Sequence, residues 1–183
     1  MENTIIQNDW LLKTGKVVST IFRYICLAFA IVAGAIGVLA LIAGTVAVFA
    51  PETFANANVD DLGIAESFGL GLLLGLAAWA LWLSARFLKH LVDIITTVGE
   101  GDPFVGANAE RLQSMARICL VIFALSVIAT LGAVAYIALD LPMEGTFEFD
   151  VSLESLLLAL VLFILARVFR HGAAMREDLE GTV

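Results

Sequence analysis

Apolar residues in this chain concentrate in four long runs separated by more polar stretches, with no single-position alternation within the runs. The runs are Tyr24–Ala50, Ser67–Ala85, Ile118–Leu139 and Leu153–Ala166. Crossing about 30 Å of hydrocarbon takes roughly 20 apolar residues in a helix rising 1.5 Å each, so the runs predict four transmembrane helices. The last run is short, and Val151, Val168 and Phe169 extend it on either side. A transmembrane strand would alternate apolar and polar positions, whereas a helix satisfies its own backbone where lipid cannot. The pattern therefore predicts an all-α, integral-membrane four-helix bundle, one domain over residues 1–183.

Helical periodicity continues past three of the runs. Arg86, Lys89, His90, Asp93 and Thr97 recur at helical spacing as a polar stripe, opposite Phe87, Leu88, Leu91, Ile94, Ile95 and Val98. The second helix is expected to reach about Val98, where Gly99-Glu100-Gly101-Asp102-Pro103 breaks it. A helix resumes near Ala107 and feeds the third span through Arg111 and Arg117, making a helical hairpin over 86–117. Its plainest reading is an interfacial connector. The fourth helix is expected to run on to about Leu179, within a tail over 170–183. Trp10, Leu11, Leu12, Val17 and Ile21 among polar neighbours predict a further, separate helix on the inner surface, with Trp10 as interface anchor.

Composition narrows the class. The chain is 61% hydrophobic, with a mean hydropathy of +0.97 and only 15% charged residues, against roughly 25% in an ordinary soluble domain. Disorder and a secreted disulfide scaffold are excluded, and the net charge of −8 excludes direct nucleic-acid binding. All ten Lys and Arg lie before the first run, between the second and third, or after the fourth. The other two loops carry acids alone, Glu52, Asp60, Asp61 and Glu66 in one and Asp140, Glu144, Glu148, Asp150 and Glu154 in the other. By the positive-inside rule both termini and the middle segment are cytoplasmic, which extends helices 2, 3 and 4 on that side. Val48-Phe49-Ala50 followed by Pro51 is a poor cleavage site, so the first run is expected to remain as a span.

Candidate chemistry is sparse. Cys26 and Cys119 sit in apolar runs without metal spacing and read as small buried residues. His90, His171 and Asp93 offer no converging ligand set, and no nucleophile–base pair or phosphate loop occurs. No enzyme activity and no cofactor are expected. With Glu154 counted among the outer acids, the spans lack the ionisable residues on which coupled transport depends. Thr45, Ser126 and Thr130 are expected to bond to their own helices. Small residues four apart, Ala30/Gly34, Ala33/Gly37 and Ala40/Gly44 in the first span and Gly71/Gly75 in the second, let helices approach closely. They serve either the first hairpin or a homo-oligomer. Arg23, Arg86, Arg117 and Arg167 near the inner helix ends are explained by snorkelling beside membrane lipids, with headgroup binding as the sharper alternative.

Gly101-x-Pro103-Phe104 with Asn108 and Arg111-Leu112, followed far downstream by Gly172, Arg176-Glu177-Asp178-Leu179 and the final Thr182-Val183, resembles a bacterial family of small four-pass membrane proteins. That family is known as domain of unknown function 2975. Two positions depart from its pattern. Val105-Gly106 follow Pro-Phe where members often carry Ser or Thr, a natural helix cap, and Glu180-Gly181 precede Thr182-Val183 where many have Leu. The resemblance implies no enzymatic activity. It implies proximity to a small Cro-like helix-turn-helix regulator, whose gene commonly neighbours the family's.

Both motifs lie on the predicted cytoplasmic side of a bacterial inner membrane. The leading expectation is a sensing or regulatory protein whose partner surface comprises Gly101, Pro103, Phe104, Asn108, Arg111, Leu112, Leu179, Thr182 and Val183. The alternative is an oligomeric transporter or channel for an apolar or amphipathic solute, assembled through the Gly71/Gly75 face.

Overall fold

A computed structural model of the protein describes residues 10–50, 64–138 and 153–180. Of the acids in the two acidic loops, Glu66 and Glu154 lie in described helices, while Glu52, Asp60, Asp61, Asp140, Glu144, Glu148 and Asp150 fall outside the described residues, as does the Thr182-Val183 end. Four helices follow in order: α1 (Trp10–Phe49), α2 (Ile64–Gly99), α3 (Gly106–Ala138) and α4 (Leu153–Glu180). They form a helical bundle, and no strand occurs among the described residues. Three of them, α1, α2 and α3, are long and apolar enough to cross a membrane. The apolar stretch of α4, residues 153–166, is roughly 21 Å long at 1.5 Å per residue.

The helix ends follow the breakers. α2 continues to Gly99 and α3 begins at Gly106, so the hairpin is helical on both sides of a short turn. The residues before Tyr24 do not form the separate surface helix that the pattern predicts. α1 is one unbroken helix of 40 residues from Trp10. Lys13, Lys16 and Arg23 change the polarity of the helix surface but do not interrupt its backbone, and long charged side chains are good helix formers.

By internal contacts the chain divides into two compact units. The first holds residues 10–26, 83–123 and 153–180. Its core is Leu112, Met115, Ala116 and Cys119 of α3 against Ala159, Leu162 and Ala166 of α4. Phe87, Leu91 and Ile94 of α2, with Phe163 and Phe169 of α4, pack around it. The apolar face expected of the α2 extension is thus turned to protein. Its polar stripe is also largely covered: Arg86 and Lys89 are exposed, but His90, Asp93 and Thr97 are half-buried. The start of α1 runs alongside, since a Cβ on Gly15 would lie 3.7 Å from Ile95 and one on Gly99 would lie 4.0 Å from Leu12.

The second unit holds residues 27–50, 64–82 and 124–138. Here the small-residue spacing brings α1 and α2 together within one chain. A Cβ on Gly37 would stand 3.2 Å from the Gly71 carbonyl, and one on Gly71 would stand 2.6 Å from Leu41 Cγ and 3.0 Å from the Gly37 carbonyl. Gly34 faces Ala78 and Gly44 faces Phe68 across the same seam, while the space over Gly75 is open. Thr45 and Thr130 donate to the carbonyls of Ile42 and Ser126, as helices in lipid require.

Gly71→Val places atoms where Leu41 and the α1 backbone already stand. It should destabilise the protein by about 1–3 kcal/mol, as overpacking generally does, while Gly75→Ala should be neutral. Thermal unfolding in detergent compares the two, and equal melting temperatures would refute the seam.

Candidate functional site

The end of α2 is closed by its own backbone. The Gly101 amide donates to the Val98 carbonyl at 3.1 Å and the Asp102 amide to the Thr97 carbonyl at 3.2 Å. This paired bonding is a Schellman closure, which needs a left-handed residue at its centre. Gly101 supplies it with φ +89°, a conformation that costs glycine nothing. Pro103, with no amide hydrogen to continue a helix, then directs the chain toward α3.

Asn108 fastens this turn. Its side chain is wholly buried. Its amide nitrogen donates to the Pro103 carbonyl at 3.0 Å. Its Oδ1 accepts from Arg111 at 2.7 Å and lies 3.0 Å from the Thr97 hydroxyl. Arg111 also donates to the Asp93 carbonyl of α2 at 3.3 Å. One amide therefore joins the last turn of α2, the loop and the first turns of α3. α3 starts without the Ser or Thr cap, its first turn closed by the Asn108 backbone N–H donating to the Val105 carbonyl at 2.9 Å.

The loop in turn holds α4. The Phe104 ring lies over Gly172, where a Cβ would come within 2.8 Å of it, and its centroid is 5.3 Å from that of Phe169. Asp102 pairs with Arg176 one turn further on. Arg170 donates to Gln113 at 3.1 Å. The two motifs, far apart in sequence, thus meet in space.

Three of the residues expected on a partner surface lie within the hairpin. Asn108 and Leu112 are buried and Arg111 is half-buried, because each ties the hairpin together. Gly101, Phe104 and Leu179 are exposed and Pro103 is half-buried. Gly34, Gly37, Gly71 and Gly75 lie in the other unit. Thr97, Asp102, Phe169 and Gly172 complete the arrangement and were not singled out as site residues. Gly172 carries a signal of its own, being a glycine inside a helix, where it costs about 1 kcal/mol without a reason to be there. The pKa of His90, outside the apolar span of α2, is lowered from the ordinary histidine value. Partial burial is the main cause, Arg86, Lys89 and Arg111 add to it, and Asp93 opposes it. Among the described residues no three His, Cys, Asp or Glu side chains gather as a metal site.

These features define a multi-pass helical membrane protein whose distinctive structure is a fastened turn with a helix docked on it. No curated protein and no solved structure matches the chain. The family model described as "Protein of unknown function (DUF2975)" matches residues 54–183, which takes in the turn and α4. The chain belongs to that family.

Replacing Asn108 by Ala leaves the Pro103 carbonyl and Arg111 without their buried partner. This should cost about 1–3 kcal/mol, the usual penalty for such groups. Asn108→Asp, which retains the acceptor and loses the donor, should fall between. Protease cleavage in residues 99–106, alongside melting temperature, reads the effect. An Asn108→Ala protein as resistant as the parent would show that the amide does not hold the turn.

Proposed function

We propose that the protein is a non-enzymatic regulatory protein of the bacterial inner membrane, with four membrane-spanning helices and both termini in the cytoplasm. The turn between α2 and α3 and the end of α4 form its contact surface. The observation that carries this reading is the seating of Phe104 on Gly172, which makes two separate motifs into one surface. Phe104 remains 43% exposed there, and Leu179 of α4 is 71% exposed. Both could touch a partner while Asn108 and Leu112 keep the support rigid.

Charge favours the cytoplasmic assignment. All ten Lys and Arg belong to the unit that contains the turn and the tail, and none to the other. The partner suggested by the family resemblance is a small helix-turn-helix regulator, held or released as the helices shift by an Å or two. Membrane lipids surround the rest. The alternative, an oligomeric carrier built on the Gly71/Gly75 face, has less support, because Leu41 of the same chain fills the space beside Gly71.

Affinity capture from native membranes tests the proposal. The parent chain should retain the helix-turn-helix regulator, whereas Phe104→Ala and a chain truncated after Arg176 should lose most of it while still inserting. Equal capture by all three would move the contact elsewhere.

A further inference from the structure

Within the first unit the start of α1 and the end of α2 run antiparallel. A Cβ on Gly15 would lie 3.7 Å from Ile95, and one on Gly99 would lie 4.0 Å from Leu12. These two pairs set the relative height of the helices. Arg23 of α1 stands level with Phe87 and Leu88 of α2, between Arg86 and Lys89. Arg86 and Lys89 are themselves only about 4.5 Å apart along their axis, at 1.5 Å per residue. Lys16 follows on α1 about 10 Å below Arg23 by the same rise.

The same pairs decide on which side of the seam these cations lie. Each residue turns a helix by about 100°. Round α1 from the face of Leu12 and Gly15, Arg23 and Lys16 come within about a quarter turn. Round α2 from Ile95 and Gly99, Lys89 comes after about a quarter turn, and Arg86 follows in the same sense. Because the helices are antiparallel, both turns lead to one side of the seam. The α3–α4 core lies against other faces of α2, through Phe87, Leu91 and Ile94. Lys16, Arg86 and Lys89 are exposed, while Arg23 is half-buried with its guanidinium 5.8 Å from the Tyr24 ring centroid. Among the described residues no carboxylate lies within ion-pair distance of Lys16, Arg23 or Lys89. Asp93 is half-buried toward α3, where its carbonyl accepts from Arg111. Glu100 turns to the same side, but about 16 Å beyond Lys89 along the helix at 1.5 Å per residue.

Apolar surface begins directly at this cluster. No charged residue occurs from Tyr24 to Phe49 of α1, or from Ala85 of α2 back to Ser67. Tyr24 and Trp82, the latter one turn before Arg86, are exposed aromatics of the kind that mark a membrane interface. A ligand seated here meets cations at one end and hydrocarbon-compatible surface at the other, which is the chemistry of a lipid and not of a soluble anion. We propose that the α1–α2 seam binds an anionic phospholipid, its phosphate held by Arg23, Arg86 and Lys89 with Lys16 reaching from below. The site rests on the membrane placement proposed above, which puts this cluster at the cytoplasmic headgroup layer. Arg117 and Arg167, the corresponding cations of α3 and α4, stand outside the seam, and Arg117 donates to the Gln113 carbonyl of its own helix.

Native mass spectrometry of the purified full chain, in detergent with equal phosphatidylglycerol and phosphatidylcholine, tests the proposal. The parent should retain phosphatidylglycerol in preference. Lys16→Gln with Lys89→Gln should weaken that retention about tenfold, the order expected for two cations beside an anionic lipid, whereas Lys16→Arg with Lys89→Arg should keep it. Arg117→Gln with Arg167→Gln, which removes the same charge from exposed positions of the same unit, should leave it unchanged. Millimolar inorganic phosphate should not displace the lipid. Absence of a preference, equal losses from both neutralised pairs, or displacement by phosphate would each overturn the proposal. Labelling of Lys13→Cys from outside intact cells by an impermeant thiol reagent, in a chain with Cys26→Ala and Cys119→Ala, would instead overturn the membrane placement.

Discussion

The buried amide of Asn108 is the constraint on which the rest of this structure depends. A polar side chain with no exposure is tolerated only where its hydrogen bonds are made. Here the partners come from three places: Thr97 at the end of α2, Pro103 in the loop and Arg111 in α3. Thr97 and Arg111 also bond carbonyls of α2, so the amide ties their contacts to the loop. The angle at which α3 leaves the turn is therefore specified by hydrogen-bond geometry, which is directional, and not by apolar packing alone, which is not.

What the amide fixes, Phe104 uses. The loop presents an aromatic ring at one position, and α4 offers a helix surface with no Cβ at Gly172, so ring and helix approach closely. The Asp102–Arg176 pair adds register more than stability, since both side chains are substantially exposed and such pairs contribute little. The small residues Ala116 and Ala159, fully buried between α3 and α4, continue the close approach into the core. Recognition of α4 by the hairpin is thus mainly a matter of shape.

Much of this architecture was legible in the sequence. Continuous apolar runs can only be helices in lipid, and the Gly99-to-Pro103 cluster can only end one, so the helix limits near the turn followed directly. The four-residue spacing of small side chains announced a close seam, though not whether Gly71 would meet Leu41 of its own chain. Periodicity failed where a residue's role depends on a distant partner. Asn108 is usually a surface residue type, and nothing local reveals that three segments converge on it. The continuity of α1 was hidden because a change from polar to apolar surface is not a change of backbone.

The central claim is that the fastened turn and the end of α4 form one surface. Cross-linking with a short bifunctional thiol reagent tests it most directly, on Asp102→Cys with Arg176→Cys in a cysteine-free chain in native membranes. The account expects rapid, near-complete intramolecular cross-linking, and its loss when Gly172→Leu displaces Phe104. Failure to cross-link, or cross-linking that Gly172→Leu leaves unchanged, would contradict it.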